Sequence, residues 1–201
     1  MLFRNNSKIN VDVDNESIDP NCLLIDAINK NDYSGVVSLI KKYNISIHHD
    51  NDHPLRHAVS LGHIDIVNFL LINGANIHVM EEHPLESAVE NGYPDIVELL
   101  IRNGADIHSH EDYPLVYAIE NNQFDMVKLL INYGADIHTR DDYVFKCAID
   151  NGYYELVNFF IRENHFGIDE LENYISKSRI YNGLLKIIKI LKENNKSKFI
   201  I

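Results

Sequence analysis

The stretch HPLESAVENGYPDIVELLIRNGADIH, residues 83–108, decides the fold because it recurs along the chain with a fixed period. Segments 53–78, 113–138 and 143–168 align with it in steps of 30 residues, and the last of them decays near its end. Self-similarity at a fixed period is the signature of a repeat architecture. The sequence therefore predicts a stack of similar units.

The frame continues on both sides of these four copies. A first copy at 23–48 has one residue slipped between Ala27 and Ile47, and a degenerate copy lies at 173–194. We predict units at about 20–50, 51–80, 81–110, 111–140 and 141–170, with a C-terminal cap at 171–194. The polar segment 1–19 is expected to be loosely ordered, and 195–201 to form a tail.

Each unit has the start and stop signals of two helices. Proline suits the first turn of a helix, and glycine suits the positive φ just past its end. The first helix is expected to begin at Pro54, Pro84 and Pro114 and to close at Gly62, Gly92 and Gly152. The second is expected to begin at Asp65, Asp95 and Asp125 and to end at Gly74, Gly104 and Gly134. One such unit cannot bury its apolar face alone, so the units should stack into an all-α solenoid.

The motifs PL-x-x-A, G-x-x-D-I-V-x-L-L and GADI resemble the ankyrin repeat over about residues 20–194. The resemblance implies stacked helix–turn–helix units, each with a protruding β-hairpin. The period is 30 residues where the family has about 33, so shortened hairpin loops are expected. The period and the Asn- and Ile-rich composition also resemble the ankyrin proteins of giant amoebal DNA viruses of the mimivirus type.

Composition excludes several classes of partner. The 201 residues carry a net charge of −12, which disfavours nucleic acid and anionic membranes because both are bound largely through cations. Cys22 and Cys147 form no paired motif, which suits a reducing compartment. No signal peptide and no membrane-spanning apolar run is visible. The sequence predicts an intracellular monomer that is not secreted, in the host cytoplasm if it is viral.

Four histidines at a spacing of 30, His48, His78, His108 and His138, could be metal ligands or scaffold. Packed helices lie roughly 8–10 Å apart, whereas a zinc ligand sits about 2 Å from its ion. Neighbouring units therefore cannot share an ion through these side chains. We predict that each imidazole bonds the backbone of the adjacent hairpin. Shorter histidine clusters offer only an adventitious metal site, so no metal and no cofactor is predicted.

Catalytic motifs are absent from the sequence. It contains no GxSxG, HExxH or phosphate-binding glycine loop, and its glycines recur at helix ends. Cys147 occupies the position that His57, Ser87 and Tyr117 hold in the preceding copies. Such variation is typical of a partly buried residue that only fills space. We predict no enzyme activity, with a metal-binding or enzymatic protein kept as an alternative.

Acidic pairs follow each GADIH-like segment: Asp50 and Asp52, Glu81 and Glu82, Glu111 and Asp112, Asp141 and Asp142. Residues 50–155 contain 19 acidic and 5 basic residues, so the negative charge is concentrated in the regular copies. The pairs should line up along one edge of the stack. They could form a solubilising face or a docking face for a basic partner.

The resemblance implies that partners bind the concave side, at hairpin tips and the exposed end of the first helix. We therefore predict a protein-binding scaffold whose partner is a basic or amphipathic segment of a host or viral protein. A structural spacer or virion component without a single client is the alternative. The predicted partner-binding residues are Asp50, Asp52, Ser60, Leu61, Met80, Glu81, Glu82, Glu90, Asn91, His110, Glu111, Asp112, Glu120, Asn121, Arg140, Asp141, Asp142, Asp150 and Asn151.

Overall fold

A computed structural model describes residues 19–163 and 165–177, and within them the chain is a succession of helices without a strand. The helices are α1 (Pro20–Asn29), α2 (Tyr33–Tyr43), α3 (His49–Ser60), α4 (Ile64–Ile72), α5 (Val79–Glu90), α6 (Pro94–Arg102), α7 (Ser109–Glu120), α8 (Phe124–Asn132), α9 (Thr139–Asp150), α10 (Tyr154–Arg162) and α11 (Ile168–Lys177). The expectations for 1–18, for the cap residues 178–194 and for the tail 195–201 lie outside the described residues.

The helices form two layers. Helices α1, α3, α5, α7 and α9 each pack on the next and make the first-helix layer, while α2, α4, α6 and α8 do the same on the other side. Leu85, Val97 and Leu100 show how the core is filled, because all three are fully buried between the layers. Each apolar helix face is thus covered by its own unit and its neighbours. The all-α solenoid is confirmed.

Helix ends follow the predicted glycines. Gly62 and Gly92 have φ of +77° and +70°, and Gly104 has φ of +100°. Such left-handed residues let main-chain N–H groups turn back to the last carbonyls of a helix. Asn122 takes the same role with φ of +52° in the unit that lacks a glycine there.

We expect Gly62→Ala to lower the free energy of unfolding more than Gly92→Ala. Both positions have positive φ, where a Cβ costs about 1–2 kcal/mol. A Cβ at position 62 would also lie 2.9 Å from Cζ of Tyr93, whereas nothing lies within 4 Å of one at position 92. Overpacking of this kind adds about 1–3 kcal/mol. Urea denaturation of both variants checks the difference, and equal losses would show that Tyr93 moves aside freely.

The connection between units differs from a hairpin. Instead of paired strands, α3, α5, α7 and α9 each contain, near their start, three consecutive residues in the left-handed region, such as Met80, Glu81 and Glu82 with φ of 52°, 57° and 71°. The expected shortened hairpin is therefore wrong in kind, because a 30-residue period leaves room for one tight turn only. We call these four segments the left-handed turns: 50–52, 80–82, 110–112 and 140–142.

An aromatic cluster closes the described C-terminal end of the stack. The rings of Phe145 and Phe166 are stacked with centroids 4.1 Å apart, and Phe160 lies against both at 6.3 and 6.0 Å. Offset or edge contacts of this kind stabilise beyond area burial alone. Phe166 and Leu171 thereby hold the segment around α11 on the last regular unit.

None of the helices among the described residues combines the length and the apolar character that a membrane crossing requires. Cys147 is buried, as predicted, and burial raises the pKa of its thiol.

Candidate interaction surface

In the first three acidic pairs the second residue lies inside the stack. Asp52, Glu82 and Asp112 are only 5%, 7% and 6% exposed. The carboxylate of Asp112 bonds Nδ1 of His108, in the preceding unit, at 2.8 Å and accepts the main-chain N–H of Asp136, at the end of its own unit, at 3.0 Å. We call Asp52, Glu82 and Asp112 the bridging carboxylates.

The other two bridging carboxylates repeat this arrangement. Asp52 bonds His48 Nδ1 at 2.9 Å and accepts from the N–H of Asn76 at 2.8 Å. Glu82 bonds His78 and accepts from the N–H of Asp106 at 3.1 Å. Each carboxylate therefore links the histidine near the end of the preceding unit to the segment that ends its own unit. Hydrogen bonds to a charged group are about twice as strong as neutral ones, which helps to hold the left-handed turns.

This finding corrects the prediction that both members of every acidic pair face a partner. Asp52, Glu82 and Asp112 are buried and hydrogen-bonded, so their charges are not presented at the surface. Asp142 is the exception, since its side chain is 46% exposed and, within residues 19–163 and 165–177, bonds only His138 Nδ1, at 2.7 Å.

The spaced histidines are scaffold residues, but the predicted bond is wrong. Each imidazole bonds a carboxylate rather than the backbone of the neighbouring unit. The main-chain N–H of the histidine donates to a side chain two residues earlier, as His108 does to Asp106 Oδ1 at 2.9 Å. In the part of the chain that the structure describes, no group of three or more ligand side chains could hold a metal ion.

The middle residue of each left-handed turn is exposed. Glu81 and Glu111 have side chains 88% and 81% exposed, and Asp141 occupies the same place one unit further on. We call Glu81, Glu111 and Asp141 the acidic row. Asp50 does not belong to it, because Asp50 aligns with Met80 and the aligned residue of its own turn is Asn51.

Two basic side chains reach back to the acidic row. His110 Nδ1 lies 2.6 Å from Glu86 and its Nε2 lies 3.4 Å from Glu81. These hydrogen bonds, chiefly that of Glu86, raise the pKa of His110. Arg140 places Nε 3.5 Å from Glu111 and donates from Nη2 to the His110 carbonyl at 2.9 Å. The acidic row is therefore partly compensated, although exposed pairs of this kind are weak and exchange readily.

A second set of acidic residues lies at the ends of the first helices. Glu90, Glu120 and Asp150 accept hydrogen bonds from tyrosines of the next unit: Tyr113 at 2.8 Å, Tyr143 at 2.6 Å and Tyr174 at 2.9 Å. The neighbouring asparagines donate to helix carbonyls four residues earlier, at Asn91, Asn121 and Asn151. In the first regular unit Ser60 bonds the His57 carbonyl and Leu61 is 38% exposed. These tyrosines were not predicted as part of the surface; their signal in the sequence is a tyrosine 23 or 24 residues after an acidic residue.

We expect Tyr113, Tyr143 and Tyr174 to ionise later than ordinary tyrosines. Their pKa values are raised to about 12, by burial first for Tyr113 and Tyr174, and by the hydrogen bond to Glu120 first for Tyr143. The folded state favours the neutral phenol, so this stabilisation is complete below the unfolded value of about 10 and is lost as pH rises towards 12. Phenolate absorbance during a pH titration measures it.

Single phenylalanine substitutions assign the late transitions. Tyr113→Phe should remove one late-ionising group, whereas Tyr154→Phe, at an exposed position, should leave all three late transitions in place. If all eleven tyrosines titrated together near pH 10, the interpretation of these three bonds would be wrong.

A stack of helix pairs with exposed, repeated side chains along one edge defines a repeat scaffold. A family model described as ankyrin repeats (3 copies) matches residues 23–111 and 85–174. The chain therefore belongs to the ankyrin-repeat family, whose members generally mediate protein–protein interaction. A comparison with curated proteins finds no match.

Proposed function

We propose that this chain is a non-catalytic interaction scaffold that binds a basic segment of a partner protein along the acidic row. The observation that carries the proposal is the exposure of Glu81 and Glu111 in directly packed units. Equivalent side chains in such units are spaced by roughly 8–10 Å. A partner that presents lysines or arginines at a similar spacing would meet a carboxylate at each step.

Charges on the same side of the stack favour a cationic partner. In α3, α5, α7 and α9, which include the left-handed turns, the acidic side chains that remain at or near the surface are Asp50, Glu81, Glu86, Glu90, Glu111, Glu120, Asp141, Asp142 and Asp150. The corresponding lysines and arginines are Arg56, Arg140 and Lys146. Arg56 donates to the carbonyls of Asp50 and Asn51, and Lys146 donates to that of Asp141. These cations stabilise the turns and leave the face acidic overall.

Two apolar side chains interrupt this face. Met80 is 55% exposed beside the acidic row, and Leu61 is 38% exposed at the end of α3. Apolar anchors surrounded by charged groups are typical of interface hot spots, and methionine adapts to varied partners. An amphipathic basic helix therefore fits this face better than a uniformly charged chain does.

The buried positions of the bridging carboxylates narrow the proposed contact set. Asp52, Glu82 and Asp112 leave it because they join neighbouring units. The asparagines and the tyrosine-bonded acids at the ends of the first helices are exposed, so they remain at the margin of the proposed contact set. The proposed core is Met80, Glu81, His110, Glu111, Arg140 and Asp141.

The test compares two pairs of charge reversals. Affinity capture and binding of a lysine-rich amphipathic peptide would be measured with Glu81→Lys/Glu111→Lys and with Asp95→Lys/Asp125→Lys. The second pair makes the same charge change at exposed sites on the other layer. We expect the first pair alone to weaken binding at least about tenfold, equivalent to about 1.4 kcal/mol, and added salt to weaken the wild type.

Binding that ignores salt and the first pair of substitutions would favour the alternatives, a solubilising face or a structural spacer without a single client. The resemblance to ankyrin proteins of giant amoebal DNA viruses supports a partner among host or viral proteins in an infected cell. Capture from such cells would identify it.

A further inference from the structure

The fifth unit lacks the bridge that the preceding units share. The side chains of Asp52, Glu82 and Asp112 are 7%, 9% and 9% exposed, whereas that of the equivalent Asp142 is 46% exposed. All four pair with the histidine four residues earlier. Among the described residues, Asp142 alone of the four receives no main-chain N–H from the segment that follows.

The change from GADIH to NHFGI explains the missing bond. In the fourth unit Ala135 N–H donates to Leu130 O at 3.0 Å, and the next N–H, that of Asp136, reaches Asp112. In the fifth unit His165 N–H donates to Phe160 O at 3.0 Å, but the next N–H, that of Phe166, is directed to the same carbonyl at 3.4 Å. The Phe166 ring stacks on Phe145, so the residue that replaces Asp136 here packs its side chain into the core.

An open cavity of about 330 Å³ lies beside this carboxylate. That volume is at the lower end of the range that ligand pockets occupy. Phe145 and Phe166, both almost fully buried, line its apolar part, and Lys146, Glu170 and Tyr174 lie around it. All three already have partners: Lys146 donates to the Asp141 carbonyl, Glu170 accepts the Gly167 N–H, and Tyr174 donates to Asp150. The carboxylate of Asp142 is thus an acceptor with capacity for a further donor.

We propose that this cavity is a second binding site and that it takes a peptide segment of a partner protein, whose main-chain N–H donates to Asp142. The choice of occupant follows from the chain itself, because in three preceding units the same carboxylate accepts a main-chain N–H. An apolar side chain next to that N–H would pack on Phe145 and Phe166, as Ala135 and Ile137 pack beside Asp136 in the fourth unit. The site is separate from the acidic row.

The probe is the blocked hexapeptide NGADIH, the sequence of residues 103–108, added to the full-length protein labelled with ¹⁵N. We expect saturable shifts in the backbone amide signals of Asp142, Phe145 and Tyr174, with a dissociation constant in the millimolar range, roughly the strength of one or two polar contacts. Asp142→Ala should weaken binding at least about tenfold. Asp141→Ala, which removes the neighbouring exposed charge, should leave it unchanged.

A second peptide tests the bond itself. N-methylation of the aspartate in the hexapeptide removes the N–H that corresponds to that of Asp106, and it should abolish the shifts. Equal binding by both peptides would overturn the proposal. So would the absence of any shift in these three amide signals at a peptide concentration of several millimolar, roughly the expected dissociation constant. The Glu81→Lys/Glu111→Lys variant should bind the peptide normally, so failure of the acidic-row function would leave this result unaffected.

Discussion

Replacement of Asp112 by alanine is expected to lower the free energy of unfolding by roughly 3 kcal/mol or more. The variant leaves His108 Nδ1 and the main-chain N–H of Asp136 without their carboxylate partner. Each hydrogen bond to a charged group contributes about 1.5–3 kcal/mol, and Asp112 makes two of them from a buried position. The left-handed turn at 110–112, which the carboxylate helps to fix, also loses its main restraint. Urea denaturation monitored by circular dichroism measures the loss.

Glu111→Ala is the matched control, because it removes a carboxylate from the adjacent, exposed position. It should change stability by no more than about 0.5 kcal/mol. Asp112→Asn keeps an oxygen acceptor of similar shape without the charge, so its effect should fall between the two. Equal effects of Asp112→Ala and Glu111→Ala would contradict the bridging role.

Hydrogen exchange separates the bridge from a general loss of stability. In a repeat stack, stability is a sum of unit terms and interface terms. Loss of Asp112 should therefore reduce protection at the amide of Asp136 and in the units after it more than in α3 and α4. Uniform loss along the chain would show that Asp112 contributes to global stability without a local bridge to Asp136.

The second large effect is expected for Phe160→Ala, at about 3–5 kcal/mol. Phe160 is fully buried and its ring contacts Phe145, Phe159 and Phe166. Truncation opens a cavity at the point where the last regular unit meets α11. Because this junction is terminal, we also expect the unfolding transition to broaden as α9 to α11 separate from the rest. Thermal denaturation at several wavelengths shows such broadening.

Tyr154→Ala is the control for this site, since Tyr154 is a large aromatic residue of the same helix that is 46% exposed. Its loss should be well below that of Phe160. A Phe160→Ala protein that unfolds in one sharp transition with a small loss would mean that the cluster collapses to fill the cavity.

The stack itself could be predicted from the sequence, because helix periodicity, prolines and glycines recur at the same register. The left-handed turns could not. A run such as Met80-Glu81-Glu82 has no glycine to indicate positive φ, and each such residue is unfavourable by itself. In all four turns a carboxylate bonds the histidine four residues earlier. In three of them it also accepts a main-chain N–H 24 residues further on, which is a tertiary interaction that local propensity does not contain.

The candidate surface was predicted only in part, because a tertiary contact decides which acidic residues are exposed. The sequence shows Glu111 and Asp112 as two equal acids, yet one is exposed and one is buried. Only the direction of the turn distinguishes them. The partner of the buried acid, the N–H of Asp136, lies 24 residues further on and has no side-chain signature. The bonds of Tyr113 and Tyr143 were visible as spacing, but a spacing between phenol and acid predicts contact only once the packing of units is known.

The bridging carboxylates have a consequence for how such a chain can lengthen. Each carboxylate and its N–H donor are 24 residues apart, which is less than the period of 30. Any in-frame duplication of 30 residues within the regular region therefore supplies one new acceptor and one new donor, wherever its ends fall. Recombination can add or delete a unit without leaving a buried polar group unpaired, so array length is free to vary between generations while the fold is preserved.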